Sequence, residues 1–151
     1  MKILYFDCFS GASGDMILGA LLDAGANIDV IKSELAKLPF TGYTLSTERV
    51  SKKGISALQL IVNIREAQQP HRHYSDIKKM LEESNLLPRA KEISLAVFER
   101  LAIAEGKIHG RPLEKVHFHE VGAVDSIVDI VGTAIALVDL HVEKIYASAI
   151  N

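Results

Sequence analysis

The run "SIVDIVGTAIALVDL" is the most apolar stretch of the chain, and it constrains the fold more than any other segment. It falls short of the roughly 20 residues that a membrane span needs, and Asp129 and Asp139 interrupt it. A helix that is apolar on nearly every side has to be enclosed by other elements of the fold. The run therefore predicts a long buried helix that begins with Asp125 as its cap.

The segments around this helix predict further strands and helices. "KILYF", "KVHFH" and "KIYASAI" are short apolar runs suited to strands, and residues 43–50 and 55–64 flank "SKKG" as a hairpin. The other predicted helices run from Asp15 to Ala24, from Ile28 to Leu38, from Ser75 to Ser84 and from Pro88 to Gly106. This order predicts an α/β or α+β fold of one domain, a two-layer sandwich with helices packed on a mixed sheet of about four to five strands.

The composition excludes several classes of partner. Hydrophobic residues make up 48% of the 151 residues and the formal net charge is −2, so we expect no basic surface for nucleic acid. Asp7 ends the opening apolar run far short of a signal-peptide core, and we expect no membrane span. Cys8 is the only cysteine, which excludes an intrachain disulfide. We therefore expect a cytoplasmic protein. Because the last predicted strand runs straight into Asn151, we also expect it to be the N-terminal region of a longer one.

The segment "HFHEVGAVDSIVD" combines imidazole and carboxylate side chains. If "KVHFH" is extended, His117 and His119 point to one side, and Glu120 follows at the strand end. Asp125 and Asp129 lie four residues apart and share a helix face. This mixture suits nickel, zinc, cobalt or manganese better than calcium. The alternative is that the aspartates cap the helix and the histidines only make hydrogen bonds.

A second His-x-His motif, His71 and His73, lies in the polar segment "REAQQPHRHYSD". Loop histidines on their own are most often only solvated. Together with the first cluster, these two predict a mobile lid that delivers or captures a metal ion. His109 and His141 have no partner in the sequence, so we predict structural roles for them.

The loop "DCFSGASGDM" links the first strand to the first helix. Gly11 and Gly14 let the backbone approach a ligand, Ser10 and Ser13 supply hydroxyls, and the helix N-terminus attracts an anion. These features predict a phosphate cradle, although the lysine of a P-loop is missing. Asp7 and Asp15 flank the turn and can hold a divalent ion beside the phosphate. The alternative is a plain tight turn in which Ser13 or Asp15 caps the helix.

Two long segments, "FDCFSGASGDMILGALLDAG" and "HFHEVGAVDSIVDIVG", resemble the nickel-insertion proteins of the nickel-pincer cofactor pathway, the LarC family. The resemblance covers essentially the whole chain. It implies insertion of nickel into pyridinium-3,5-bisthiocarboxylic acid mononucleotide, which completes the cofactor of lactate racemase. It also implies that CTP is consumed with manganese or magnesium at a site in the C-terminal part of a longer protein, so the isolated chain need not be active.

We therefore predict a nickel chelatase, a lyase-type metal insertion, in which the two segments meet in one cleft. The mononucleotide phosphate is predicted to bind at Ser10, Gly11, Ser13, Gly14 and Asp15. The metal is predicted to bind at His117, His119, Glu120, Asp125 and Asp129, with His71 and His73. Forming the nickel–carbon bond removes a ring proton, so His119 is the predicted base with Glu120 beside it as a second catalytic residue.

The predicted partners are the mononucleotide, the rest of a longer chain, lactate racemase and other proteins of the cofactor pathway, together with further copies in a homo-oligomer. Two alternatives remain open. One is a metal-dependent phosphohydrolase that uses Asp7, Asp15 and the histidine cluster around two ions. The other is a non-catalytic nickel-binding or assembly domain.

Overall fold

The computed structural model describes residues 1–65, 72–118 and 121–149. Its elements are β1 (Ile3–Phe6), α1 (Gly14–Asp23), α2 (Ile28–Leu35), β2 (Tyr43–Lys52), β3 (Ile55–Ile64), β4 (Arg72–His73), α3 (Tyr74–Glu83), α4 (Pro88–His109), a 3₁₀ turn (Leu113–Lys115), β5 (His117–Phe118), α5 (Val124–Asp139) and β6 (Lys144–Ala147). The mixed α/β class predicted from the sequence is confirmed.

Helix α5 is the centre of the fold, as its apolar run predicts. Nine of its sixteen residues are buried, so most of its circumference is covered by other elements. Helices α1, α2 and α4 pack around it. At the crossing with α1, a Cβ on Gly132 would lie 2.8 Å from the Leu18 side chain. The glycine therefore sets how closely these two helices approach.

The strands do not form the single sheet of four to five strands that the sequence predicts. Within the described ranges they form three two-stranded sheets. Strand β1 pairs with β6 in parallel, β2 pairs with β3 in antiparallel, and β4 also pairs with β5 in antiparallel. The pairs pack on different parts of the helical core. Helix α1 lies against both β3 and α5, and a Cβ on Gly19 would lie only 2.9 Å from the Leu58 carbonyl oxygen. Within the described residues, strands β4 and β5 have two residues each.

The predicted hairpin of β2 and β3 is confirmed, with Tyr43 opposite Ile64 at its base. Its turn has two residues, Lys53 and Gly54, and both have positive φ angles, of 52° and 81°. Two residues of positive φ give a turn whose twist matches that of the flanking strands. The glycine in "SKKG" is thus the residue that makes this turn possible.

Helix α4 continues beyond the predicted end at Gly106 and stops at Gly110, which adopts the left-handed conformation. Gly106 stays inside the helix for a packing reason. A Cβ at this position would lie 2.8 Å from the Arg111 carbonyl oxygen and 3.3 Å from the Val116 side chain. The absent side chain lets the segment that leads to β5 fold back against α4. No helix among the described residues is both long enough and apolar enough to cross a membrane.

Candidate metal and ligand site

The two His-x-His motifs meet through the pairing of β4 with β5. His73 lies opposite His117 and Arg72 lies opposite Phe118 in an antiparallel ladder. Opposed residues of such a ladder project from the same face. The imidazole rings of His73 and His117 lie with their centroids 4.6 Å apart, in an edge-to-face arrangement. One residue of each predicted metal-binding motif is therefore in contact with one residue of the other.

Contacts of the neighbouring residues hold both histidines of this pair in place. Phe118 is fully buried and its ring contacts those of Phe98 and Tyr74, at centroid distances of 6.3 and 6.4 Å. His73 occupies the cap position of α3, and its backbone N–H donates to the Asp76 carboxylate at 3.0 Å, as in a capping box. The predicted cap, Ser75, is instead inside the helix, because β4 runs directly into α3 and leaves its last residue at the cap position.

Arg72 connects the histidine pair to the segment before α5. Its guanidinium donates to the Gly122 carbonyl oxygen at 2.7 Å. Burial lowers the Arg72 pKa, and the nearby Asp76 carboxylate partly offsets that effect. A Cβ on Gly122 would lie 3.1 Å from the Arg72 backbone nitrogen, so the two backbones are in close contact. Predicted ligands His71, His119 and Glu120 lie outside the described residues, and their metal-binding and catalytic roles stay predictions.

The glycine–serine loop makes a tight turn between β1 and α1. The Gly11 N–H donates to the Cys8 carbonyl at 2.9 Å, and Gly11 has a φ of 83°, which favours glycine. Ser13 occupies the cap position of α1, yet its hydroxyl donates to the Asp15 carboxylate and accepts no hydrogen bond from the helix backbone. The Cys8 N–H donates to the Ser148 hydroxyl at 2.7 Å, which ties the start of the loop to the chain after β6.

The loop and α5 meet at Gly14 and Asp129. A Cβ on Gly14 would lie 2.6 Å from the Asp129 carboxylate, so the start of α1 rests directly on this side chain. The other carboxylate oxygen of Asp129, Oδ1, is buried and has no hydrogen-bond partner among the described residues. The glycine–serine loop thus contacts Asp129 of the predicted metal-binding segment, and a common cleft for phosphate and metal stays a prediction.

Asp129 lies in an electrostatically negative environment. Burial, together with the smaller effect of the nearby charges of Asp15 and Asp125, raises its pKa to about 6. Asp125 lies in the first turn of α5 and accepts the Ser126 N–H at 2.8 Å. It is not the cap that the sequence predicts, because the helix begins at Val124 and Ala123, two residues before Asp125, holds the cap position. The three carboxylates favour a cation here and oppose the attraction of the α1 N-terminus for a phosphate.

In the described parts of the chain, no three histidine, cysteine, aspartate or glutamate side chains are arranged to hold a metal ion. The histidine pair and the carboxylates of Asp15, Asp125 and Asp129 are therefore two partial ligand sets. Their binding of metal, alone or together, stays a prediction. The same holds for phosphate binding by Ser10, Gly11, Ser13, Gly14 and Asp15.

An open groove runs from the glycine–serine loop along α1 and the hairpin, and its volume is about 910 Å³. We call it the hairpin groove; its main lining residues are Phe9, Ser10, Asp15, Met16, Ala20, Asp23, Val50, Lys52, Ile55, Leu58 and Leu60. Its volume is within the range of small-molecule sites. Sequence analysis missed it because it lies between α1 and a hairpin distant in the chain. The one available indication was Phe9, a large apolar residue inside a glycine–serine loop.

Comparison with known proteins places the chain in a family. Residues 4–151 match the family of nickel insertion proteins. The chain belongs to this family. The family resemblance noted in the two sequence segments is thereby confirmed.

Individual members of the nickel insertion family are similar over nearly the whole chain. A provisionally named nickel insertion protein of Citrifermentans bemidjiense is 57% identical over 150 residues, which cover 99% of this chain and 39% of the relative. The pyridinium-3,5-bisthiocarboxylic acid mononucleotide nickel insertion protein of Geobacillus kaustophilus is 53% identical over 159 residues, with coverage of 99% and 39%. The chain thus spans about two fifths of the length of these relatives. No solved structure matches it.

Proposed function

We propose that this chain binds nickel and the organic substrate during nickel insertion into pyridinium-3,5-bisthiocarboxylic acid mononucleotide. Family membership and the name of the Geobacillus kaustophilus relative support the reaction. The observation that carries the proposal is the contact of His73 with His117, whose ring centroids are 4.6 Å apart. Two imidazoles at this distance can bind one divalent ion after small rotations of their side chains.

The chemistry of the histidine pair fits a metal that has to be passed on. Imidazole nitrogen is a ligand that suits nickel. A transfer site also has to release its ion, so an incomplete set of protein ligands is expected in place of a closed cage. His73 is exposed and His117 is half-buried, so an ion bound between them is accessible to a substrate. His71, His119 and Glu120 are the proposed further ligands.

The proposed reaction exchanges a ring proton of the pyridinium for nickel. We propose His119, with Glu120, as the group that accepts this proton. Asp125 and Asp129 lie on the first two turns of α5. Asp15 lies in the first turn of α1, next to Gly14, which contacts Asp129. Their negative charge raises the local concentration of divalent cations. Ser10 and Asp15 line the hairpin groove. We propose that the mononucleotide binds in this groove.

The complete reaction requires more than this chain. Its length is 39% of that of the relatives, so we propose that CTP, with manganese or magnesium, is used by the remaining length of such proteins. We further propose that lactate racemase receives the finished cofactor and that the insertion is a lyase-type reaction. We also propose that the protein is a cytoplasmic homo-oligomer.

Nickel titration by calorimetry tests the metal half of the proposal. We expect His73→Ala and His117→Ala each to weaken nickel binding by about tenfold or more, since each removes one of few ligands. His141→Asn is the matched control, because His141 has a φ of 54° and asparagine tolerates that conformation. Equal nickel affinity of the wild type and the three variants would contradict the proposal.

A second candidate function is a nickel-binding domain without catalysis. It is favoured by the coverage of the relatives, since the chain spans only 39% of their length and the catalytic groups can lie in the remainder. A pyridinium mononucleotide titration separates the two, because only the first candidate requires this chain to bind the organic substrate.

A further inference from the structure

We propose that the hairpin groove binds the pyridinium mononucleotide in a defined orientation, with its phosphate at Lys52 and its ring at Phe9 and Met16 beside Asp15. This inference rests on the proposed function, from which the chemistry of the ligand comes. It reverses the orientation predicted from the sequence, in which the glycine–serine loop holds the phosphate.

The apolar surface of the groove fits an aromatic ring at the end near the loop. At this end Phe9 is 75% exposed and Met16 is 57% exposed, and at the hairpin end Ile55, paired with Lys52, is 74% exposed. Soluble proteins rarely leave several large apolar side chains in water around one concavity unless that surface has a binding role. A phenyl face and a thioether are also good partners for a positively charged ring. Phe9 and Met16 therefore mark the expected position of the pyridinium.

The charges of the groove differ between its ends. Lys52 is the only lysine or arginine among the described residues that line it. Asp23, which also lines the groove, is bound by the Arg49 guanidinium at 2.8 Å and is thereby neutralised. What remains is an ammonium at the hairpin end and the carboxylate of Asp15 at the loop end. An ammonium is a common partner of phosphate.

The loop end repels a phosphate for a second reason. Asp129 lies in contact with Gly14, one residue before Asp15, and Asp125 lies one helical turn away on α5. A phosphate held at the α1 N-terminus would face all three carboxylates. The positive ring of the ligand is favoured there instead. The thiocarboxylates on the ring are negative, and the divalent ion that the reaction inserts can neutralise them beside the carboxylates.

The test compares two probes that differ only in the phosphate. Nicotinamide mononucleotide has a pyridinium ring, a ribose and a phosphate, and nicotinamide riboside has the same ring and ribose without the phosphate. Titration of the ¹⁵N-labelled chain with each probe should shift backbone signals of residues 9–16 and 50–60. We expect Lys52→Gln to weaken binding of the mononucleotide about tenfold and to change riboside binding less than about twofold. Lys53→Gln is the matched control, because Lys53 is in the turn and does not line the groove.

A second variant tests the ring end. Asp15→Asn should weaken riboside binding about threefold and should not weaken binding of inorganic phosphate. The proposal is overturned if Lys52→Gln affects both probes equally or neither, if phosphate alone shifts only the signals of residues 10–15, or if neither probe binds. The first two outcomes leave binding of the organic probe and of nickel intact, so they overturn the orientation alone. If neither probe binds, the organic-substrate half of the proposed function fails as well, and the nickel titration at His73 and His117 tests the metal half separately.

Discussion

Gly14 of the glycine–serine loop and Asp129 of α5 are in direct contact, and a Cβ on Gly14 would lie 2.6 Å from Asp129 Oδ2. The two residues belong to segments more than a hundred positions apart in the chain. Their contact joins the loop that lines the hairpin groove to the helix that follows the histidines. It also explains why position 14 has no side chain, since its φ is not in the left-handed region.

Gly14→Ala should destabilise the fold by about 1–3 kcal/mol, because the new methyl group overlaps the Asp129 carboxylate. The free energy of unfolding, measured in urea, checks this value. The matched control is the same substitution in an Asp129→Ala background, where the obstructing carboxylate is absent. We expect the cost of Gly14→Ala to fall well below its value in the wild type. An equal cost in both backgrounds would mean that the two residues do not touch.

Removing the Asp129 charge should change how stability depends on pH. Burial, together with the charges of Asp15 and Asp125, raises the Asp129 pKa from 3.8 to about 6. The folded state therefore holds this proton more tightly than the unfolded state, and the resulting stabilisation is lost as pH rises from about 4 through 6. Because the side chain is only partly buried, we expect a loss of about 1–2 kcal/mol.

Urea unfolding between pH 4 and 7.5 tests this dependence. Asp129→Asn should be more stable than the wild type at pH 7.5, and the difference should shrink toward pH 4. Asp29→Asn, an exposed aspartate in the first turn of α2, serves as the control and should keep the wild-type profile. A pH profile of Asp129→Asn parallel to that of the wild type would contradict the raised pKa.

Nickel should stabilise the chain through the histidine pair. An ion that binds only the folded state raises the free energy of unfolding by about 2.7 kcal/mol at a hundred times its Kd. We expect the wild-type Tm to rise with nickel and to return to its starting value with EDTA. The double variant His73→Ala/His117→Ala should show neither change. A nickel-dependent rise of the same size in the double variant would place the ion elsewhere.

Gly106→Ala should destabilise the fold by about 2–3 kcal/mol, since its methyl group would meet the Arg111 carbonyl oxygen at 2.8 Å. The same displacement should move Val116 and weaken nickel binding at the adjacent His117. Ala104→Gly, at an exposed position of the same helix, should cost only about 1 kcal/mol through helix propensity and should leave nickel affinity unchanged. Wild-type stability of the Gly106→Ala protein would contradict the close packing of Gly106 against Arg111 and Val116.

Local features of the fold were largely predictable. The apolar run at residues 126–140 predicted the buried helix α5, and the glycine of "SKKG" predicted the hairpin turn at Lys53 and Gly54. Three helix boundaries, at Ser75, Gly106 and Asp125, were wrong for tertiary reasons. Gly106 is a packing contact and not a stop, and Asp125 is not the cap because α5 gains an earlier start at Val124. The predicted single sheet was wrong because alternation of apolar residues identifies strands and does not tell which strands pair.

The sequence by itself determined the local conformations, the buried helix and the residue types available for binding a metal, because these depend on neighbours a few positions apart. Only the tertiary structure decided that His73 meets His117, that Gly14 rests on Asp129, and that Lys52 and Asp15 line the same groove. The physical reason is that each of these contacts joins segments distant in the chain. Their distance is set by how helices and strand pairs pack around α5, and the spacing of residues in the sequence does not specify that packing.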